Sequence, residues 1–548
     1  MRIPRSMTSW LSMLLAGGLV ALGGQGAALA ASGASRPAAA AQLACSEAEL
    51  GQAPAGANAK PMVIPTLRDW TGGNGTLSFD AGSRILVDPA DAAALADTAT
   101  QFQAQLKTVS GLALPIVIRA ATPAAGDIVL SLAPCGASAA QLGEEGYSLD
   151  LEDHAVLRAK GAAGVFYATQ TLLQMLSLDG AAAGAHLRVA RGFAVDVPRY
   201  AERSIMFDVG RKYASVDFLA AYLRFMGWYK LSTLHLHLND QAKAKDGSWG
   251  LRAFRLKSDK PEFAGLVPAD GLVYTRDDWD KLETIAAAHH VRIVPEFDTP
   301  GHAGAFAAAN PAIAYVGDTP PGGTIDPTKP ATLQYVESVF GEFLPWFRSS
   351  TVHIGGDEVN VNSGSITTAS QVDYLNQLGR FLQSKHKRVE MWGDASYLPR
   401  LDKSFIIQRW INWGSEASIN WADKGYQWTE SYGDWYIVPF GPSYFNPDGI
   451  NGDTLYAKWS QATGANAPSG GQIAVWNDNA LLDSYTWERK VNDLLKDAVP
   501  AAGQVFWRGQ AHDAQGQTVD YGVLRRSVAT LQYGPDVTRF SDSPIPAR

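Results

Sequence analysis

From Ser204 to Asp478 the chain switches repeatedly between two hydrophobic periods, and few folds accommodate that rhythm. Candidate strands, several alternating at every second residue, occur at Ser204–Val209, Thr233–Asn239, Arg292–Asp298, Thr351–Asp357, Arg388–Asp394, Phe405–Trp410, Tyr436–Pro439 and Gln472–Asp478. Helical repeats fill most of the gaps, as at Val216–Tyr229, Asp277–His289, Leu333–Phe347, Gln371–His386 and Tyr485–Leu495. Eight strands alternating with helices predict an α/β fold closed as a (β/α)8 TIM barrel.

Side-chain parity says where such a barrel would carry its chemistry. In the second strand Leu234, Leu236 and Leu238 share one face, while His235, His237 and Asn239 share the other. Met206 and Asp208 oppose Ile205, Phe207 and Val209 in the first strand, and Glu296 and Asp298 oppose Ile293, Pro295 and Phe297 in the third. Glu390, Trp392 and Asp394 fall together, as do Trp476 and Asp478. Each inner face turns polar or aromatic near its C-terminal end, where barrel active sites sit. An inert barrel interior would be branched aliphatic.

The fourth strand ends in Gly355-Gly-Asp-Glu358, a pair of adjacent carboxylates behind two glycines that let a ligand approach the backbone. Cleaving an acetal needs an acid on the leaving oxygen and a second group facing the developing positive charge. Asp357 and Glu358 supply one of each. Asp240 and His302 leave the barrel at the same rim, so a carboxylate–histidine–carboxylate chain ending on Glu358 can tune its ionisation. Trp392, Trp410 and Trp476 lie at or near strand ends, where indole faces suit the C–H faces of a sugar ring. The His235/His237 pair raises a metal-dependent alternative, but no carboxylated-lysine candidate accompanies it. The expectation is no metal and no cofactor.

Ahead of the barrel, residues 61–195 mix short strands (Ser83–Val87, Leu114–Ile118, Asp127–Ser131, Gly146–Asp150) with a helix over Gly161–Met175. They predict a smaller α/β domain without a catalytic cluster, leaving 196–548 for the barrel domain. Residues 31–60, rich in Ala, Gly, Ser and Pro, are expected to form a flexible lead-in. Residues 1–30 carry Arg2 and Arg5, an apolar run from Trp10 to Leu22 and then Ala28-Leu-Ala30, which predicts a cleaved secretory leader. The protein is therefore expected to be exported, to a periplasm or the medium, with no membrane span after cleavage. Losing two arginines moves the formal charge from −8 to −10, which argues against a nucleic-acid partner. Cys45 and Cys135 are the only cysteines, enough for one disulfide after export.

His353-Ile-Gly-Gly-Asp-Glu-Val359 resembles the signature of glycoside hydrolase family 20, the β-N-acetylhexosaminidases. Arg203-Ser-Ile-Met-Phe-Asp-Val-Gly-Arg211, His235-Leu-His-Leu-Asn-Asp240 and Val294-Pro-Glu-Phe-Asp-Thr-Pro-Gly-His302 are similar to the family's first three barrel strands, in order. Gly146-Tyr-Ser-Leu149 and Gly164–Gln174 resemble the end of its non-catalytic domain. The resemblance implies a glycan substrate containing N-acetylhexosamine and a retaining reaction in which the substrate's own acetamide is the nucleophile. It makes Glu358 the acid and base, supported by Asp240 and His302. Asp357 becomes the partner of the acetamide nitrogen, and Tyr436 that of its oxygen. Trp392, Trp410 and Trp476 become pocket walls, and Arg203 and Asp478 hydroxyl-binding residues. The chain departs from the family text at Asn239-Asp-Gln-Ala-Lys-Ala244, at Trp476-Asn-Asp478, where the usual acid is one methylene longer, and at Tyr436-Ile-Val438, which lacks an acid. Asp478 and the text near 210–213 are more like the lacto-N-biosidase and surface-hexosaminidase branch. Release of a disaccharide therefore stays open, as does a glycan-binding protein that has kept the pocket.

Overall fold

The computed structural model describes residues 53–544, apart from 135–139, 180–186, 244–248, 318–321, 360–363, 399, 441–444, 460–463, 479–483, 514–515, 538 and 541–542. The expected leader, most of the expected lead-in, Cys45 and Cys135 lie outside the described residues. Where the lead-in is described it is already tethered, since Asn58 Nδ2 donates to Gly75 O (2.7 Å) and Arg191 O (3.0 Å). No described helix is long and apolar enough to cross a membrane.

Seven strands build the first sheet: β1 (Asp69–Phe79), β2 (Ile85–Val87), β3 (Ile116–Ile118), β4 (Ile128–Ser131), β5 (Tyr147–Leu151), β6 (Ala155–Ala159) and β7 (Leu187–Asp196). Their order is β1-β7-β5-β6-β4-β2-β3, antiparallel from β1 to β6 and parallel beyond. Helices Ala92–Ser110 and Ala162–Leu178 pack on it. The second helix is buried at every residue from Gly164 to Leu176, because the sheet covers one side and the barrel the other. Its polar positions are satisfied across that junction: Gln174 Oε1 accepts from Ile64 N, and its Nε2 donates to Ile64 O and Trp228 O.

The barrel follows as β8 (Glu202–Asp208), β9 (Thr233–His237), a hairpin of β10 (Asn239–Lys243) and β11 (Trp249–Phe254), then β12 (Arg292–Glu296), β13 (Thr351–His353), β14 (Arg388–Trp392), β15 (Ile406–Arg409), β16 (Gln427–Glu430), β17 (Tyr436–Ile437) and β18 (Gly470–Val475). Strands β8-β9-β12-β13-β14-β15-β16-β18 close into a parallel eight-stranded ring. Helices Val216–Trp228, Arg276–Ala288, Pro330–Phe343, Thr368–Ser384 and Ser484–Leu495 fall where the 3.6-residue period predicts them. The seventh strand does not. β16 takes that place, pairing with β15 along its length and with β18 at Glu430↔Gly471. The expected Tyr436–Pro439 strand is a two-residue pairing against the far end of β18.

The barrel interior is polar at mid-height. Gln472 Nε2 donates to Ser204 Oγ (2.9 Å) and meets His235 Nδ1 (3.1 Å), and Gln408 Nε2 donates to Ser431 Oγ (3.1 Å). Above this layer the strand ends open onto one mouth.

Candidate active site

Strand β13 ends at His353, earlier than its alternation predicts, and the backbone then turns sharply. Gly355 and Gly356 take φ of 70° and 99°, values that glycine adopts without penalty. A Cβ on Gly355 would fall inside the Asp298 carboxylate. Gly356 N donates to Asp298 Oδ1 (3.0 Å), and Gly356 O accepts from Gln371 Nε2 (3.0 Å) and the Tyr397 hydroxyl. Glu358 then holds φ 52°, costly for a side chain with a Cβ and found mostly at functional sites. The turn sends the two carboxylates to different environments. Asp357 is buried, whereas the Glu358 side chain is 58% exposed.

Below them lies a connected set of charges. Glu296 sits inside the barrel, accepting from Trp392 Nε1 (2.7 Å) and His237 Nδ1 (2.8 Å), with His235 Nε2 3.0 Å away. His237 passes the connection upward, Nε2 to Asp240 Oδ2 (2.9 Å). Asp240 also meets Arg211 Nη2 (2.8 Å) and His302 Nδ1 (3.2 Å). His302 Nε2 lies 3.4 Å from Glu358 and 3.7 Å from Asp357. Asp240, His302 and Glu358 thus stand in the line the sequence suggests, and Glu296 and His237 extend it into the barrel.

The charges fix the protons. Burial opposes charge on His302, but Asp240, Asp298 and Asp357 outweigh it and hold the imidazole well above its ordinary range. Burial pushes Asp357 up to about 6, against the pull of His302. Burial and then the Asp357 charge raise Asp298 well above the carboxylate range. Glu358 is lowered, chiefly by the hydrogen bond with His302. His353 is held neutral by burial, at about 4, and accepts from Gly355 N on Nδ1 (3.1 Å).

Beside the carboxylates Met206, Trp392, Tyr436 and Ala474 form a separate apolar cluster, with Trp410, Phe445 and Trp476 packed against it. Trp392 is the floor, fixed by its bond to Glu296 and lying 5.5 Å from Trp476. Asp357 Oδ1, the Tyr436 hydroxyl and the indole N–H groups of Trp410 and Trp476 are buried without a hydrogen-bond partner among the described residues. Ser431 and Trp476 are close enough to act on the ionisation of Tyr436, but neither closes a hydrogen bond with it. Such groups cost about 1–3 kcal/mol each when left unpaired. Three unpartnered donors thus belong to this apolar cluster, with one unpartnered acceptor on the adjoining carboxylate.

Arg203, expected to hold ring hydroxyls, is nowhere near this cluster. It stands at the N-terminal end of β8, wholly buried, with Nη2 on Glu145 Oε1 (2.6 Å) and Nε on Lys230 O (2.7 Å). The cation at the mouth is Arg211, just past the other end of the same strand. It pairs with Asp208 (2.9 Å) and Asp240 and lies over the Trp476 ring at 5.6 Å. The signal that finds it is strand direction, since barrel sites collect at C-terminal ends. Asp478 is half-buried, and its charge helps raise Arg211. Asp298 and Glu296 share the parity of the inner face; what sequence does not reveal is how they hold Gly356, Trp392 and the histidines.

Residues 200–491 match the model of the glycosyl hydrolase family 20 catalytic domain, and residues 60–197 that of the family's domain 2. A beta-hexosaminidase of Vibrio furnissii is 26% identical over 421 residues, 70% of this chain and 65% of its own length. A lacto-N-biosidase of Bifidobacterium bifidum is 22% identical over 531 residues, 89% of this chain and 43% of its own. The chain thus spans less than two thirds of the length of these relatives. A solved GH20 beta-N-acetylhexosaminidase from Streptomyces coelicolor superposes with a TM-score of 0.69 at 25% identity, covering 87% of this chain and 96% of that one.

Proposed function

The chain belongs to glycosyl hydrolase family 20, and we propose that it is an exo-acting β-N-acetylhexosaminidase that works by retention through its substrate's acetamide. Family 20 is an exception to the scheme in which a second enzyme carboxylate attacks the sugar. One observation carries the reading: the unpartnered Asp357 Oδ1 and Tyr436 hydroxyl match an amide, one accepting from its N–H and the other donating to its C=O. Held so, the amide oxygen faces the anomeric carbon and attacks it, while the bond to the leaving oxygen breaks and that oxygen takes a proton from Glu358. Asp357 faces the positive charge that spreads onto the five-membered ring. Water then attacks the anomeric carbon from the vacated side, gives its proton to Glu358 and reopens the acetamide, with net retention.

In the free protein Glu358 is the lower carboxyl and Asp357 the higher, the reverse of what the first step needs. Substrate inverts the order by ordinary electrostatics. The amide N–H favours the Asp357 anion, and the leaving group shields the exposed Glu358 from water, which favours its neutral form. The His302 imidazolium at 3.4 Å is the proton source. Arg211 and Asp478, which follow β8 and β18 at the mouth, are the groups assigned to ring hydroxyls, which supports removal of a terminal residue.

A second reading, release of a disaccharide, draws on Val438, an apolar residue where the family text has an acid, and on the relative that covers 89% of the chain. Initial rates on an aryl N-acetyl-β-glucosaminide and on the aryl lacto-N-bioside separate the two. Turnover of the monosaccharide is expected; release from the disaccharide alone would establish the second reading, and silence on both would leave a binding protein. The proposed setting is outside the cytoplasm, after cleavage behind Ala30. N-terminal sequencing of the exported protein should begin at Ala31, and an intact Met1 would contradict it.

A further inference from the structure

Gly355 O still pairs with the neighbouring strand, accepting from Trp392 N (3.0 Å), but one residue on the Gly356 carbonyl accepts from two side chains instead. Gln371 Nε2 gives it one hydrogen (3.0 Å) and the Tyr397 hydroxyl gives it another. The second hydrogen of Gln371 Nε2 goes to Tyr397 Oη (2.7 Å). The three groups close a ring in which every hydrogen has one place to go. Both side chains are buried, and Gln371 Oε1 has no hydrogen-bond partner among the described residues. The amide thus faces the turn and leaves its own oxygen unpaired, an arrangement that packing alone does not favour.

Each partner is fixed by its own element. Gln371 lies in the first turn of helix Thr368–Ser384, whose N-cap Thr367 forms a capping box with Ser370. One turn further on, Tyr374 donates to Thr299 Oγ1 (3.0 Å). Tyr397 ends the turn Ala395–Tyr397, which Asp394 caps by accepting from Ser396 N (2.8 Å).

The ring reaches Asp357 through the backbone. The Gly356 carbonyl and the Asp357 nitrogen share one planar peptide, and Asp298 holds the other end of Gly356 by its N–H (3.0 Å). With both ends fixed, the direction in which Asp357 leaves the turn is fixed as well. Met391 Cε and Leu375 Cδ2 back the turn, 3.1 and 3.4 Å from where a Cβ on Gly356 would stand. The carboxylate itself is lightly held. Oδ1 has no partner among the described residues, His302 Nε2 stands 3.7 Å from Oδ2, and the carboxyl that reaches it is that of Asp298.

We propose that Gln371 and Tyr397 are positioning residues for the reaction, orienting the Gly356–Asp357 peptide so that Asp357 meets the acetamide nitrogen. Buried behind the turn, they act through Asp357 rather than on the sugar. The inference rests on the glycosidase reading above.

The test is a double-mutant cycle on an activated aryl N-acetyl-β-glucosaminide, with every protein assayed well below its own Tm. Tyr397→Phe and Gln371→Met keep the shape of each side chain and remove its donor. Each should lower kcat by about tenfold or more while KM stays within about threefold, because a small misplacement of a catalytic group costs rate steeply. In the Asp357→Asn background the same changes should lower kcat by less than about twofold, since the group they position no longer works. Either variant carries the test alone. Equal losses in the two backgrounds would overturn the proposal and leave the pair as supports of the fold. An undiminished kcat in both single variants would overturn it too. A wild type without activity would instead bring down the glycosidase reading, since that result involves neither side chain.

Discussion

Asp357 and Glu358 share a peptide bond, yet one is buried and the other stands in water 3.4 Å from His302. Their roles follow from that difference, and so do the expected effects of changing them. Glu358→Gln should lower kcat on substrates with poor leaving groups by about 10²–10⁴-fold, and much less on activated aryl glycosides. Equal rates in the two proteins would remove it as the acid. Asp357 must be ionised to face the cationic intermediate, and burial places it at about 6. The sign is therefore fixed: kcat/KM should rise with pH through about 6 as Asp357 loses its proton, and fall at higher pH once His302 loses its own. Asp357→Asn should abolish the rising limb along with most of the turnover, and a limb that survives would assign it elsewhere. Most of these residues are legible in sequence because each ends a strand whose alternation marks the inner face. Arg203 shows the limit. It sits in the right strand at the wrong end, and only strand direction distinguishes it from Arg211. Arg211→Ala should cost binding, whereas Arg203→Lys should lower Tm and leave kcat/KM within about twofold. A large kcat/KM loss in Arg203→Lys would contradict that assignment.

At the scale of elements, the site is made by where strands stop. β13 gives way after His353 to two glycines with positive φ, and only that turn brings Asp357 beside Asp298 and Glu358 out to His302. Gly355→Ala should abolish measurable turnover while the far-UV circular dichroism stays native, because the added methyl displaces Asp298 rather than the strand. Near-normal activity in that variant would show that the turn tolerates other conformations. The expected strand runs four residues past the observed end here, because Thr351-Val-His-Ile354 alternates beyond His353 and the sequence does not show that the two glycines take positive φ. The β16 strand was hidden for the opposite reason. Gln427-Trp-Thr-Glu430 is short and carries polar residues at both ends, while Tyr436–Pro439 looks more strand-like but pairs at only two positions.

The molecule as a whole joins its two domains through buried charge. Arg203 spans from β8 to Glu145, and Lys230 Nζ reaches Tyr147 Oη (2.6 Å) and Asp196 Oδ2 (3.2 Å), which also accepts from Trp507 Nε1 (3.0 Å). Burial opposes the Glu145 anion, but Arg203 outweighs it and lowers its pKa. A group lowered by folding contributes stability above its unfolded value, about 4.3, and loses it as pH falls through the folded value. Glu145→Gln leaves Arg203 buried without its counter-charge, so stability should drop by about 3 kcal/mol. Activity at moderate temperature should stay normal, since the active-site mouth lies at the other end of the barrel. An unchanged Tm would mean that water or another group takes over the pairing. None of this joint is visible in sequence, where Glu145 and Lys230 carry no signal and Arg203 reads as a partner of ring hydroxyls.

The central claim is that the acetamide of the substrate does the work of a nucleophile, and the most direct measurement removes it. Initial rates on an aryl N-acetyl-β-glucosaminide and on the matching aryl β-glucoside, with a hydroxyl in place of the acetamide, compare the same bond with and without that group. The account predicts that the glucoside is slower by at least about a thousandfold, because an intramolecular nucleophile and its two partners are lost together. Comparable rates on the two glycosides would contradict it.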